Sequence, residues 1–357
     1  MAQENEIPID DNLAEDPEET IPFRYAITGY GADYPVDGLV KRIADGSINI
    51  PSFQRGFVWP LKMASRFIES LLLGLPVPGI FLAKEYETQK LLVIDGQQRL
   101  RTLQYFYEGI FADSSKVFTL KGVQPQFEGA TYKSLNDEDR RRLDDSILHA
   151  TIIKQDEPSD DDSSIYHIFE RLNTEGLQLQ PQEIRACMYH GEFNDLLKNL
   201  NEIKPWRSIY GPISRRMRDQ ELILRFLALY FNFDNYEKPM KEFLNIYLGK
   251  NRNLRFQSED DVRNAFVPTI DIIHKCLGNS AFKPRKNLNA AVFDAVMVGI
   301  GRRLTNGAIR DLKAMQRRYQ ALLKNSSFSA ATETGTSAEE SVNRRIILAT
   351  DAFANVT

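Results

Sequence analysis

A change of periodicity at an acidic break constrains this chain more than any other feature. Up to about residue 155, short apolar runs alternate with short amphipathic stretches; after DEPSDDDSS (156–164), apolar residues recur almost only at three-to-four spacing. The first pattern builds layers of helix and sheet, the second only helices. In the first part, PVDGLVKRIADGSI carries Leu39, Val40 and Ile43 at helical spacing, and INIPSFQRGFVW is extended, with Pro51 blocking a helix. LKMASRFIESLLLGLPVPG sets Phe67, Ile68, Leu71 and Leu72 on one stripe and stops at Gly74 before Pro76. GIFLAKEY and KLLVID are two strands joined by the turn ETQ, KVFTLKG is a further strand, and NDEDRRRLDDSI is a short charged helix. In the second part seven segments from IYHIFERLNTEG to AIRDLKAMQRRYQALLK are helical, with Pro181 at a first helical position. NSSFSAATETGTSAEE (325–340) is expected as a flexible loop before a last helix around Val342–Phe353. The expected organisation is a disordered acidic tail over 1–22, an α/β (α+β) domain over 23–155 and an all-α helical domain over 160–357.

The formal charge of −4 conceals an asymmetry, because residues 1–20 hold eight acids and no base. Without them 41 acidic side chains face 45 basic ones, so the body is about +4. A basic body with an acidic tail suits a polyanion binder, and a solubilising tail explains the same composition. Two cysteines, Cys187 and Cys276, make no disulfide framework. With no apolar run near the roughly 20 residues of a membrane span, and no basic start or apolar stretch in MAQENEIPID, a cytoplasmic protein is expected.

Four stretches could carry chemistry. IDGQQRLRT (94–102) places a glycine between a strand and a helix. Such a helix start offers backbone N–H groups and the positive end of the helix dipole to an anion. Gly96 admits close approach, Arg99 can fork onto phosphate, Gln97 and Gln98 can donate amide hydrogens, and Asp95 could hold a metal ion or water. A helix start whose arginine pairs with a surface acid explains the same residues. IPSFQRGFVWP (50–60) sets Gln54 and Arg55 among Phe53, Phe57 and Trp59, where the arginine is stacked as a phosphate ligand or the aromatics anchor a loop. HIFERLNTEG offers Arg171 and Asn173 at a helix end, where a C-cap is the plainer reading. KPWRSIYGPISRRMRD (204–219) interleaves Lys204, Arg207, Arg215, Arg216 and Arg218 with Trp206 and Tyr210, a composition suited to nucleic-acid backbone and base stacking or to a solvated helix face. No GxxxxGK[ST] loop occurs, and the four histidines fall in no metal-type pair, so hydrolysis here would have to use carboxylates, arginines and a metal.

In series, PSFQRGFVW, ESLLLGLPVPGIFL, VIDGQQRLRTL and IFERLNTEGLQLQPQEIRACMYHG resemble the N-terminal domain of the GmrSD-type restriction endonucleases, over roughly residues 35–195; FDAVMVGIG (293–301) is similar to a further family stretch. The resemblance implies a ParB/sulfiredoxin-like fold for the α/β part and a nucleoside-triphosphate pocket. That pocket would take Gln54, Arg55, Gly96, Gln97, Gln98 and Arg99, with Asp95 and Arg99 catalytic, a Mg²⁺ ion reached through Asp95, and Arg171 and Asn173 as a lid. It implies an NTP-binding and hydrolysing protein of bacterial anti-phage defence that couples nucleotide state to DNA recognition. Expected partners are DNA and a nuclease or other defence subunit, with a homodimer also open. The family's usual HNH nuclease domain finds no counterpart here, which leaves a non-catalytic DNA sensor or a divergent nickase as alternatives.

Overall fold

The computed structural model describes residues 9–10, 26–50, 57–85, 88–112, 116–157, 166, 168 and 180–357. The chain forms two compact units, one of residues 24–179 and one of residues 1–23 with 180–357. The division falls at Gln180, beyond the acidic break from which it was expected.

The first unit is built on a five-stranded mixed sheet. Its strands are β2 (Ala26–Pro35), β3 (Ile48–Asn49), β4 (Ile80–Lys84), β5 (Leu91–Asp95) and β6 (Ile147–Glu157), in the order β2-β6-β4-β5-β3. The pairs β2/β6 and β4/β5 are antiparallel, and β6/β4 and β5/β3 are parallel. Alternation sends Leu148, Ala150 and Ile152 of β6, Ile80 and Leu82 of β4, and Leu91 and Val93 of β5 into one core. Against that face pack α1 (Val36–Ala44), α2 (Leu61–Leu72), α3 (Gln97–Glu108) and α4 (Asp137–Asp144), which bury Leu39, Ile68, Leu103 and Leu143 completely. The far end of α3 is tied down by its own polar group. Tyr107 donates to Asp144 Oδ1 at 2.5 Å, Tyr132 donates to the same oxygen at 3.0 Å, and the two rings stack 4.1 Å apart. Burial, with the Asp144 carboxylate beside it, pushes the Tyr107 hydroxyl far above its ordinary range, so it stays a donor at any working pH.

One expectation fails in this unit. KVFTLKG is not a strand: it makes one isolated bridge, Ile110 to Val117, although Phe118 and Leu120 alternate into the core as strand residues do. The long strands β2 and β6, the latter lying between β2 and β4, were not read from the sequence.

The second unit is helical, with α5 (Pro181–Met188), α6 (Glu192–Asn201), α7 (Lys204–Tyr210), α8 (Arg218–Phe231), α9 (Met240–Asn251), α10 (Glu259–Leu277), α11 (Ala290–Leu304), α12 (Leu312–Leu323), α13 (Ser326–Glu333) and α14 (Glu339–Phe353). Pro181 takes the first helical position of α5. The stretch expected as a loop holds α13, because the Asn325 side chain caps it through Phe328 N and Phe328, Ala331 and Thr332 bury at helical spacing. The tail is not wholly without structure: Ile9–Asp10 (β1) pairs in parallel with Leu288–Asn289 (β7). The FDAVMVGIG stretch lies in α11, buried from Ala290 to Gly301. At its heart Asp294 accepts from Arg225 Nη2 at 2.6 Å and Arg345 Nη2 at 2.9 Å, and all three side chains are almost fully excluded from solvent. No helix among the described residues is long and apolar enough to cross a membrane.

Candidate functional site

The DGQQR segment is the junction of β5 and α3. Leu91 and Val93 fix β5 in the core, Leu100, Leu103 and Phe106 fix α3, and the chain turns between them on Gly96. Gly96 stands at φ 99°, ψ 8°, in the left-handed region, and as the N-cap residue it brings no side chain to the helix it starts. A Cβ at this position would lie 2.4 Å from Ile80 Cγ2, so β4 closes directly against the turn. Gly96→Ala therefore carries both the left-handed penalty of about 1–2 kcal/mol and overpacking of about 1–3 kcal/mol. The expected result is a melting temperature several degrees lower in a thermal denaturation; an unchanged one would contradict this backbone.

Four of the expected pocket residues have their side chains placed here. Asp95, whose side chain is 45% exposed, accepts from Arg99 Nη2 at 2.7 Å; the Arg99 side chain is 15% exposed. Pairs of this exposure and i,i+4 spacing contribute only about 0.3–0.5 kcal/mol, so the bond matters more for where it holds the guanidinium than for stability. Arg99 Nε is buried and finds no acceptor among the described residues. Gln98 uses its amide oxygen for a contact within the protein. Its Oε1 accepts from Val58 N at 2.9 Å and Trp59 N at 3.3 Å, and so pins these two residues to the start of α3. Gln97, half-buried, opens the helix. Beyond the pinned amides, Phe57 packs edge-on against Tyr105 and Phe111, and Trp59 against Phe67, so these aromatics anchor the segment on the core.

Gln54, Arg55, Arg171 and Asn173 lie outside the described residues. In the helical unit, the basic run 204–219 is folded inward. Arg207 binds the fully buried Asp219 at 2.9 Å and lies over the Tyr210 ring at 5.1 Å, while Arg216 Nε binds the buried Glu183 at 2.9 Å. Trp206 and Tyr210 are 0% and 2% exposed, which corrects the expectation that they stack bases. Of the five basic residues, Lys204 and Arg215 are exposed and Arg218 is half-buried.

Residues 36–190 match the family model of the GmrSD restriction endonuclease, N-terminal domain. The match bears out the resemblance carried by the QR, DGQQR and F-x-R-L-N-x-x-G stretches. The matched segment begins with α1 and runs just past α5, so the β5–α3 junction sits well inside it. No curated protein matches the chain.

One polar pair on the five-stranded sheet escaped the sequence reading. His149 Nδ1 lies 2.7 Å from Asp33 Oδ1, across β6 and β2. The partners are 116 positions apart, and no local motif marks either one. The only signal was the alternation of Leu148, Ala150 and Ile152 around His149 and Thr151. Among the described residues no group of three or more His, Cys, Asp or Glu side chains converges as a metal site.

Proposed function

We propose that this chain is a nucleoside-triphosphate-binding and hydrolysing protein of a restriction or anti-phage defence system, in which nucleotide state controls DNA recognition. The observation that carries the reading is the β5–α3 junction: a helix start whose N-cap is a left-handed glycine, beside an arginine held by Asp95 with its Nε buried and without an acceptor among the described residues. Phosphate oxygens would take the first N–H groups of α3 and the remaining Arg99 donors, a combination of helix dipole and fixed guanidinium. Arg55, three positions before Val58 in the sequence, would add a second guanidinium. Charge spread over the phosphoryl oxygens in the transition state is what such donors stabilise. The single carboxylate of Asp95 fits a Mg²⁺ that arrives with the phosphates, since that ion is usually bound through one or two carboxylates plus substrate oxygens. The ion would supply charge neutralisation, while Asp95 keeps Arg99 aimed and can orient the attacking water. The GmrSD description is the ground for the defence setting and for a DNA partner.

The test is calorimetric titration of the protein with each of the four NTPs and Mg²⁺, together with phosphate release measured with and without DNA. Saturable binding and phosphate release are expected. Absence of both, with DNA binding that weakens steeply as salt rises, would replace this reading by a non-catalytic DNA-binding module.

A further inference from the structure

Between Arg302 and Thr332 the sequence holds seven basic side chains and one acidic one, Asp311, whose carboxylate caps α12 through Ala314 N. Much of that charge is ordered into a row. Met315, Tyr319 and Leu322 are buried and define the inward side of α12. At about 100° per residue, Lys313, Arg317 and Lys324 fall within an arc of about 40° directly opposite that side, and all three are exposed. From Lys313 to Lys324 the row extends about 16 Å along the helix axis. Arg310, just before the helix, and Arg318, on its flank, are exposed as well.

This row works against the helix that carries it. Lys313 and Arg317 are like charges at i,i+4, and Lys313 stands in a first turn that has no acidic residue to complement the helix dipole. Surface helices elsewhere in the chain relieve such charges from within: Lys41 pairs with Asp37, Arg263 with Glu259 and Arg344 with Glu340, each at i,i+4. Among the described residues, none of the exposed cations of the α12 row pairs with a carboxylate. A strip of cations that the fold leaves unneutralised is complementary to a polyanion. Its other features select among polyanions. The apolar side of α12 is already used by the core, with Met315 0% and Leu322 4% exposed, so no apolar face is left to lie in a lipid surface. The outward side has no aromatic ring on which unpaired bases could stack. Beside the cations it carries Gln316 and Gln320, both exposed, whose amides can donate to phosphate oxygens. That chemistry suits the backbone of a duplex.

We propose that the outward face of α12 is a backbone-binding site for duplex DNA, in which Lys313, Arg317 and Lys324 contact phosphates and Arg310 and Arg318 widen the charged strip. The choice of DNA among duplexes rests on the DNA-recognition reading above; the cationic face does not. Contacts of this kind supply affinity and orientation and leave the reading of bases to other residues. The face takes the place expected of the run 204–219, whose Arg207 and Arg216 are turned onto buried carboxylates.

The experiment titrates a labelled duplex DNA with the full chain at several salt concentrations, read by fluorescence anisotropy, beside a duplex RNA and, by co-sedimentation, phosphatidylserine vesicles. The triple variant Lys313→Gln, Arg317→Gln, Lys324→Gln keeps good helix formers at all three positions, so its melting temperature is expected to match the wild type's or exceed it. Each phosphate contact contributes about 0.9 to the slope of log affinity against log salt. The triple variant is therefore expected to lower that slope by about 2–3 and to weaken DNA binding about a hundredfold at about 0.1 M salt. The single variant Arg317→Gln is expected to lower the slope by about 1. A control with Lys41→Gln, Arg263→Gln and Arg344→Gln removes the same charge from cations that are paired on their own helices, and is expected to bind as the wild type does. Unchanged slope and affinity in the α12 variants overturn this face and leave DNA recognition standing. An equal loss in the control reduces the effect to net charge and overturns the face as well. Tighter binding to the RNA or the vesicles than to DNA overturns the DNA assignment. A wild-type chain that binds no duplex DNA overturns the proposal, while phosphate release measured without DNA decides the nucleotide reading separately.

Discussion

Arg99→Ala is expected to abolish nucleotide binding while leaving the melting curve where it was. The two halves of that expectation have separate causes. The guanidinium brings a fixed fork of donors to a helix start, and charge-assisted hydrogen bonds to phosphate are worth about 1.5–3 kcal/mol each. Two such bonds lost from one site weaken binding by about two to four orders of magnitude. Stability has little at stake, because the partner left behind, Asp95, is nearly half exposed and can be hydrated. Arg99→Lys keeps the charge and loses the fork, so it is expected to recover only part of the affinity. The readout is a calorimetric titration beside a thermal melt. Unchanged affinity in Arg99→Ala would refute the cradle, and a collapsed melt would show Arg99 to be a structural residue.

The second large effect lies in the helical unit and concerns stability alone. Asp294→Ala is expected to cost about 3–5 kcal/mol, because it leaves Arg225 and Arg345 facing one another in the core without the anion that neutralises them. The cluster already carries one more positive than negative charge. Burial draws the Arg345 guanidinium below its ordinary pKa, the Asp294 charge draws it back up, and nearby Arg225 lowers it again. Arg345 also donates to the Thr336 carbonyl, which ties the approach to α14 into the same network. Since domains of this size are stable by about 5–15 kcal/mol in total, the variant is expected to show a much lower urea midpoint or little folded protein. Replacing all three residues by apolar ones of similar volume is expected to cost less than Asp294→Ala alone, because no buried charge remains unmatched. An Asp294→Ala protein with the wild-type midpoint would refute the role of this cluster.

Some of this architecture was readable from local chemistry. VIDGQQRL announces strand, turn and helix because a buried apolar run, a glycine and a three-to-four stripe are all local signals, and the structure has them in that order. The same holds for Pro181 at the start of α5 and for the switch to helices. Where local pattern and pairing part company, the reading failed. Phe118 and Leu120 alternate like a strand because both enter the core, yet among the described residues no neighbouring strand pairs with them. In β6, Ala150 and the polar His149 and Thr151 dilute the apolar signal, although the strand is paired on both sides. NSSFSAATE looks like a linker by composition, while one asparagine cap and three inward residues suffice to hold a helix.

The sequence by itself determined the class of each half, the strand–glycine–helix junction and the residue types gathered there, because periodicity, turn conformation and helix polarity act over a few residues. Only the tertiary structure decided what those residues touch. It gave Gln98 the task of pinning Val58 and Trp59, turned Arg207 and Arg216 inward onto buried carboxylates, and brought Asp33 onto His149. Those contacts depend on strand register and helix packing, which join positions from 12 to more than 100 residues apart and leave no mark in any short stretch of the chain.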